Sequence, residues 1–346
     1  MRAVVFASQG EVRVDDVDDP ALEEPGDAIV RVSRSAICGS DLHFFHLKAP
    51  VEPGDVMGHE AVGIVETVGS GVGRFTVGDR VVVAFDIACG TCWFCLRGQT
   101  QLCERSAILG AGTFGGNLAG AQAELVRVPW ADVNLLPVPA DVPDEAALFV
   151  GDILTTAVYA ASIADAAPSD VVAVVGAGPV GFLCIQALRA EGVETVIALD
   201  REPERLALAE RVDAISVHVG QRNPQTSVDD LTSGRGADVV VDAVGHPAAF
   251  ESAVSIARRG GRVVVVGMYA GETVEMQLGV YWARALDLRF AGLCPVHAYW
   301  ERAMGLVASR AIDPMPLVSH RLPLEHAGHG YELFDRRQAT KVLLVP

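Results

Sequence analysis

Four cysteines, Cys89, Cys92, Cys95 and Cys103, stand at the spacing C-x2-C-x2-C-x7-C. Four soft thiolates from one short lobe suit a closed tetrahedral zinc with no position left for a substrate. An iron–sulfur cluster is the competing chemistry. The bacterial ferredoxin run places its fourth cysteine after three residues and follows it with proline, whereas here seven residues intervene and Glu104 follows. A second set is dispersed along the chain: Cys38-Gly-Ser40-Asp-Leu-His43, Gly58-His59-Glu60 and Gly151-Asp152. Cys38 and His59 are zinc ligands by type, and a catalytic zinc needs three protein ligands and one open position. Asp152 fills the third place most economically, because with Cys38 it cancels the charge of the ion. Glu60 competes for that place. Adjacent residues on a strand point to opposite faces unless the Gly58 turn twists them together, so Glu60 is read as lying behind the ligands or ligating intermittently.

A third set reads a different chemistry. Val171 to Val175 runs into Gly176-Ala-Gly178-Pro179-Val180-Gly181 and then an apolar stretch, Phe182 to Ala190. This is a buried strand, a glycine turn and a helix whose free N–H groups would receive a pyrophosphate. A second strand, Thr195 to Leu199, ends in Asp200, nineteen residues after Gly181, where a carboxylate can accept from the adenosine ribose hydroxyls. That favours NAD. Arg201 beside it keeps NADP as the alternative, since a guanidinium there could meet a 2′-phosphate.

Elements that could hold these residues follow from the patterning. The first part alternates short Val and Ile runs with glycine turns, as in Gly63–Gly69 and Gly78–Val83, the texture of a β-rich domain. A helical region begins near Pro143 and is interrupted at Gly151. Beyond it, β-branched runs at Val171–Val175, Thr195–Leu199, Asp238–Asp242 and Arg262–Val266 alternate with helical stretches, which indicates a parallel sheet covered on both faces. The apolar segment Leu286 to Leu293 is expected at the sheet edge. An amphipathic stretch, Glu325 to Phe334, and a final strand, Lys341 to Val345, are expected to return to the first domain.

Composition narrows the partners. The net charge of −17 over 346 residues repels phosphate backbones and anionic lipid, which argues against nucleic acid and membrane surfaces. The uncharged stretch Val171–Leu188 is long enough to raise a membrane span, but its central glycines and Pro179 suit a strand, turn and helix better. With no signal-like start, a cytoplasmic location is expected, and in that setting the clustered cysteines indicate metal before disulfides.

With these residues assembled, the chain resembles the zinc-containing medium-chain alcohol dehydrogenase family along essentially its whole length. Cys38-Gly-Ser-Asp-Leu-His43, Gly58-His-Glu60, Gly78-Asp-Arg-Val81, the cysteine lobe, the glycine turn and Ala339-Thr-Lys-Val-Leu-Leu344 carry the likeness. Ala121–Pro129 and Gly151-Asp-Ile-Leu-Thr-Thr156 resemble the branch of glutathione-independent formaldehyde dehydrogenases, whose third ligand is an Asp; the longer inserts of that branch are absent.

The resemblance implies an α/β protein: a GroES-like β-rich catalytic domain over 1–155 and 295–346, split around a Rossmann domain at 156–294. It implies a nicotinamide cofactor and a small alcohol or aldehyde substrate, beside the two zinc ions per chain read from the ligand sets, while the Leu286–Leu293 edge, pairing across a two-fold axis, points to a homodimer or homotetramer. The resemblance further implies that Ser40 bridges the substrate hydroxyl, that His43 relays the proton, and that Phe85, with Phe114 near it, lines the pocket. Pro179, Val180, Val244, Gly267 and Lys341 join the cofactor contacts on the same ground.

Overall fold

In sheet after sheet the runs of Val, Ile and Ala supply side chains that must leave water, and the strands they form are buried on one or both faces. The computed structural model describes residues 1–271 and 273–346. The chain divides into two compact units, Met1–Thr155 with Pro295–Pro346, and Thr156–Cys294.

The first unit is built on a seven-stranded sheet. Its spatial order is Val318–Pro323, Lys341–Val345, Ala28–Ile37, Ala61–Val68, Arg80–Val83 and Leu135–Pro137, with Leu125–Val128 also pairing on Ala28–Ile37. Ser35 stands opposite Ala61, and Ala61 stands opposite Val83. Val342 stands opposite Ile37. This register aligns four chain segments at one end of the sheet, just where Lys341, Cys38, His59, Glu60 and Phe85 leave or enter their strands. The helical region past Pro143 comprises Asp144–Ala147 and the 3-10 turn Leu148–Gly151, and a new helix, Ile153–Ala164, starts after Asp152. Gly151 lies flat on the same sheet end: a Cβ there would sit 2.5 Å from the Val83 carbonyl oxygen. Its own carbonyl accepts the Phe85 N–H at 3.1 Å.

The second unit is a six-stranded, wholly parallel sheet in the order Ile215–His218, Thr195–Asp200, Val171–Val175, Ala237–Asp242, Ala257–Val265, Asp287–Phe290. The uncharged Val171–Leu188 stretch is a strand, a turn and the helix Pro179–Ala190. Among the described residues no single helix is long and apolar enough to cross a membrane. Ile215–His218 is a strand the sequence did not announce; only Val217 of its four residues is buried, so it lacks the apolar run that marks its neighbours.

Candidate metal centres and dinucleotide site

The sheet register explains why residues far apart in sequence meet. One ligand atom each from Cys38, His59, Glu60 and Asp152 lies within 4.8 Å of the others. The Asp152 Oδ2 atom is 3.6 Å from Cys38 Sγ and 3.2 Å from His59 Nε2. His59 and Glu60 both reach the cluster because the strand begins only at Ala61 and Gly58 before them adopts φ +90°. The strand alternation argued from sequence therefore does not constrain this pair. A side chain at Gly58 would also collide with Gln122, whose Cγ lies 2.3 Å from an added Cβ.

Asp41 stands behind the cluster and was given no role from sequence. Its Oδ1 is 3.1 Å from His59 Nδ1, while its Oδ2 accepts the Cys38 backbone N–H at 2.9 Å and the Gln122 amide at 3.2 Å. Tyr331 extends the network, its hydroxyl donating to Gln122 Oε1 at 2.9 Å. A carboxylate on Nδ1 fixes the ring and leaves Nε2 as the ligand atom, the usual support of a metal-bound histidine. The signal was available: an acid three residues after Cys38, in the first turn of the short helix Asp41–Phe45.

Glu60 has its own partner. The Lys341 ammonium is ion-paired to the Glu60 carboxylate, with the two side chains 1 % and 0 % exposed, and lies 5.9 Å from the centre of the Phe149 ring. Lys341, expected at the cofactor, thus has its charge matched inside its own unit. A buried charge without such a partner would be costly.

The electrostatics of the pocket favour a cation. Burial pushes the Cys38 thiol up, and Glu60 and Asp152 push it the same way. Burial lowers the His59 imidazole, but Asp41, Cys38 and Asp152 override it and hold it well above the ordinary value. Burial also raises Glu60 against the pull of Lys341. Such crowding of acidic groups holds protons tightly, and a divalent cation satisfies the same field. The donor set fits zinc: one thiolate, one imidazole and one carboxylate, with Glu60 turned to Lys341.

Ser40 Oγ lies 3.2 Å from His59 Nε2. His43, three residues on, is half-buried in the same short helix. The Phe85 ring meets His59 edge to face with centroids 6.2 Å apart. Phe114 stands on the turn Gly112–Gly115 and is 55 % exposed.

Cys89, Cys92, Cys95 and Cys103 form the second cluster, again with sulfurs within 4.8 Å of one another. Backbone N–H groups already point at them: Thr91 to Cys89 Sγ at 3.5 Å, Cys89 and Arg105 to Cys103 Sγ at 3.3 Å each. Burial opposes ionisation of Cys89, yet the Thr91 N–H and hydroxyl and the Arg105 guanidinium bring its thiol down to about 5. Donors aimed at sulfur stabilise thiolate, which is the form that binds metal.

In the second unit Gly176 takes φ +90°, and a Cβ on Gly181 would lie 1.8 Å from the Gly176 carbonyl oxygen. Gly178 caps the helix, with Pro179 at its first position and Val180 following. Asp200 Oδ2 accepts the Ala177 N–H at 2.8 Å, and Oδ1 accepts those of Arg201 and Glu202 at 2.7 and 3.0 Å. The Arg201 side chain turns away to Glu202 at 3.5 Å. Arg205, one helical turn on and not singled out from sequence, takes the place beside the acid: its Nη1 is 3.7 Å from Asp200 Oδ2 and 3.6 Å from where a Gly178 Cβ would be. Val244 packs on Gly176, and Gly267 lies against Gly245.

Known proteins share this organisation. The alcohol dehydrogenase GroES-like domain matches residues 24–140, and the zinc-binding dehydrogenase domain matches residues 179–309. A zinc-type alcohol dehydrogenase-like protein of Bacillus subtilis (strain 168) is 36 % identical, over 100 % of both chains. Among solved structures, alcohol dehydrogenase TADH from Thermus sp. ATN1 is 47 % identical with a TM-score of 0.96, covering 100 % of this chain and 99 % of that one. A protein from Sinorhizobium meliloti 1021, described as a zinc-binding dehydrogenase and solved bound to NADP, is 29 % identical with a TM-score of 0.88, covering 100 % and 99 %.

Proposed function

The chain belongs to the zinc-type medium-chain alcohol dehydrogenase family, and from that premise we propose that it moves a hydride between a primary or secondary alcohol and a nicotinamide cofactor, with NAD favoured over NADP. The observation that carries this reading is the convergence of Cys38, His59 and Asp152 with Asp41 locking His59 from behind. Cys38, His59 and Asp152 would hold the catalytic zinc, and the four-cysteine lobe a structural one. When bound, the zinc supplies Lewis-acid polarisation of the substrate oxygen and the nicotinamide supplies the hydride acceptor.

The chain's own residues do the rest. Ser40 Oγ accepts the hydrogen bond from the substrate hydroxyl and takes its proton onward, and the His43 imidazole carries that proton toward solvent. Phe85, packed on His59, excludes water beside the reacting carbon. Lys341 keeps Glu60 neutralised so that the acid does not compete permanently for the metal. Asp200 receives the adenosine ribose hydroxyls. The carboxylate in third position, in the setting Gly151-Asp-Ile-Leu-Thr-Thr156, also supports a likeness to the formaldehyde dehydrogenase branch. Aldehyde oxidation or dismutation is accordingly the alternative reading.

A panel of primary and secondary alcohols and short aldehydes, followed through the absorbance of reduced nicotinamide with NAD and with NADP, tests the proposal. Turnover with at least one alcohol is expected, lost on metal chelation. No turnover with any member by a fully zinc-loaded protein would contradict it.

A further inference from the structure

The parallel sheet reverses its order between Val171–Val175 and Ala237–Asp242, and in such a sheet a ligand binds outside the carboxyl ends of the strands at the reversal. Asp200 ends the strand on one side. If the adenosine ribose lies there and the pyrophosphate on the glycine turn, the nicotinamide half extends over the other side, above the segments that follow Asp242 and Val265.

Those two segments are bound to each other. The N–H groups of Val266 and Gly267 donate to the Asp242 carbonyl at 2.9 and 3.0 Å. A Cβ on Gly267 would fall 2.0 Å from Gly245 N, and one on Gly245 2.3 Å from the Met268 carbonyl oxygen. The Tyr269 hydroxyl closes the arrangement: it donates to Asp242 Oδ2 at 2.6 Å and lies 3.3 Å from the His246 carbonyl oxygen, while Asp242 Oδ1 accepts the Val244 N–H at 3.0 Å. Asp242 is fully buried. Burial raises its carboxyl, and the Tyr269 hydroxyl and the N–H groups of Val244 and Gly245 pull it back. The same segment reaches the glycine turn, because Ala243 N–H donates to the Val175 carbonyl at 2.9 Å.

We propose that Tyr269 is a positioning residue, whose hydroxyl, through Asp242, holds segments 243–246 and 267–269 in the arrangement that receives the nicotinamide half of the dinucleotide. The inference rests on the dinucleotide reading above. A short bond to a buried acid is among the stronger hydrogen bonds; without it the two segments lose their side-chain tie and are held only by the backbone bonds to the Asp242 carbonyl, while the glycine turn and Asp200 keep all of theirs. The adenosine half should therefore bind as before.

Tyr269→Phe in the full chain removes only the hydroxyl. Calorimetric titrations would compare ADP-ribose with the tighter of NADH and NADPH, on wild type and variant, alongside the melting temperature. The variant is expected to bind the reduced dinucleotide roughly tenfold more weakly, the size of a lost hydrogen bond to a charged group, with ADP-ribose changed less than about twofold. Unchanged dinucleotide affinity overturns the inference. So does an equal loss for both ligands, which would mark a general structural role. A wild type that binds none of the three overturns the dinucleotide reading itself, and this inference with it.

Discussion

Asp41 faces His59 across 3.1 Å, carboxylate oxygen to Nδ1, and both side chains are buried. The acid also accepts the backbone N–H of Cys38, so one side chain outside the proposed ligand set contacts two members of it. Loss of such a partner typically costs roughly tenfold to a hundredfold in metal affinity. Asp41→Asn is expected to release zinc at correspondingly lower chelator concentration while the four-cysteine site keeps its metal. Equal chelator resistance in variant and wild type would show that His59 needs no such support.

On the proposed function, cofactor choice is expected to turn on Asp200 and Arg205. The carboxylate is anchored by three backbone N–H groups, and it would repel the 2′-phosphate of NADP. Arg205 stands 3.7 Å from that carboxylate, so removing the acid frees a guanidinium at the ribose as well as removing the repulsion. Asp200→Gly is therefore expected to shift the kcat/KM ratio toward NADP, and the further change Arg205→Ala to reverse most of the shift. A wild type preferring NADP, or a ratio unmoved by Asp200→Gly, would refute this role.

Asp86 carries a pH dependence. It is fully buried, neither carboxylate oxygen has a hydrogen-bond partner among the described residues, and burial pushes its acid from 3.8 up to about 7. The folded chain then binds a proton that the unfolded chain releases, so this group's contribution falls as pH rises from about 4 to 7 and stays low above that. Asp86→Asn should raise the melting temperature at pH 8 and leave it nearly unchanged at pH 4, a difference on the order of 1–3 kcal/mol. Parallel melting curves for both proteins across that range would contradict it.

Assembly should use the sheet edge. Asp287–Phe290 is one of the two edge strands of the parallel sheet, with Phe290 64 % and Trp282, earlier in the chain, 84 % exposed. An open edge flanked by apolar side chains invites pairing with a second copy. We expect a dimer or tetramer in sedimentation at micromolar concentration; a monomer alone would exclude pairing through this edge.

What was legible in the sequence was local. The cysteine lobe and the glycine turn are contiguous, and spacing alone specifies their geometry. Cys38, His59 and Asp152 could be gathered by ligand chemistry and resemblance, but their meeting is a product of sheet register, Ser35 on Ala61 on Val83. The supports of the site were not legible for the same reason. Lys341 reaches Glu60 because Val342 pairs with Ile37, and Arg205 reaches Asp200 because the helix Pro203–Glu210 turns it back. Ile215–His218 escaped because a strand with one buried residue has no apolar run to betray it.

Cys38, His59 and Asp152 are proposed to hold a catalytic zinc distinct from the zinc of the cysteine lobe. The most direct test is the zinc content of Asp152→Ala by elemental analysis, read with its circular dichroism and its turnover. A folded protein retaining about half the wild-type zinc with almost no turnover is expected, since an open site depends on each of its three ligands. Full zinc content with normal rates would contradict it and move the third ligand to Glu60.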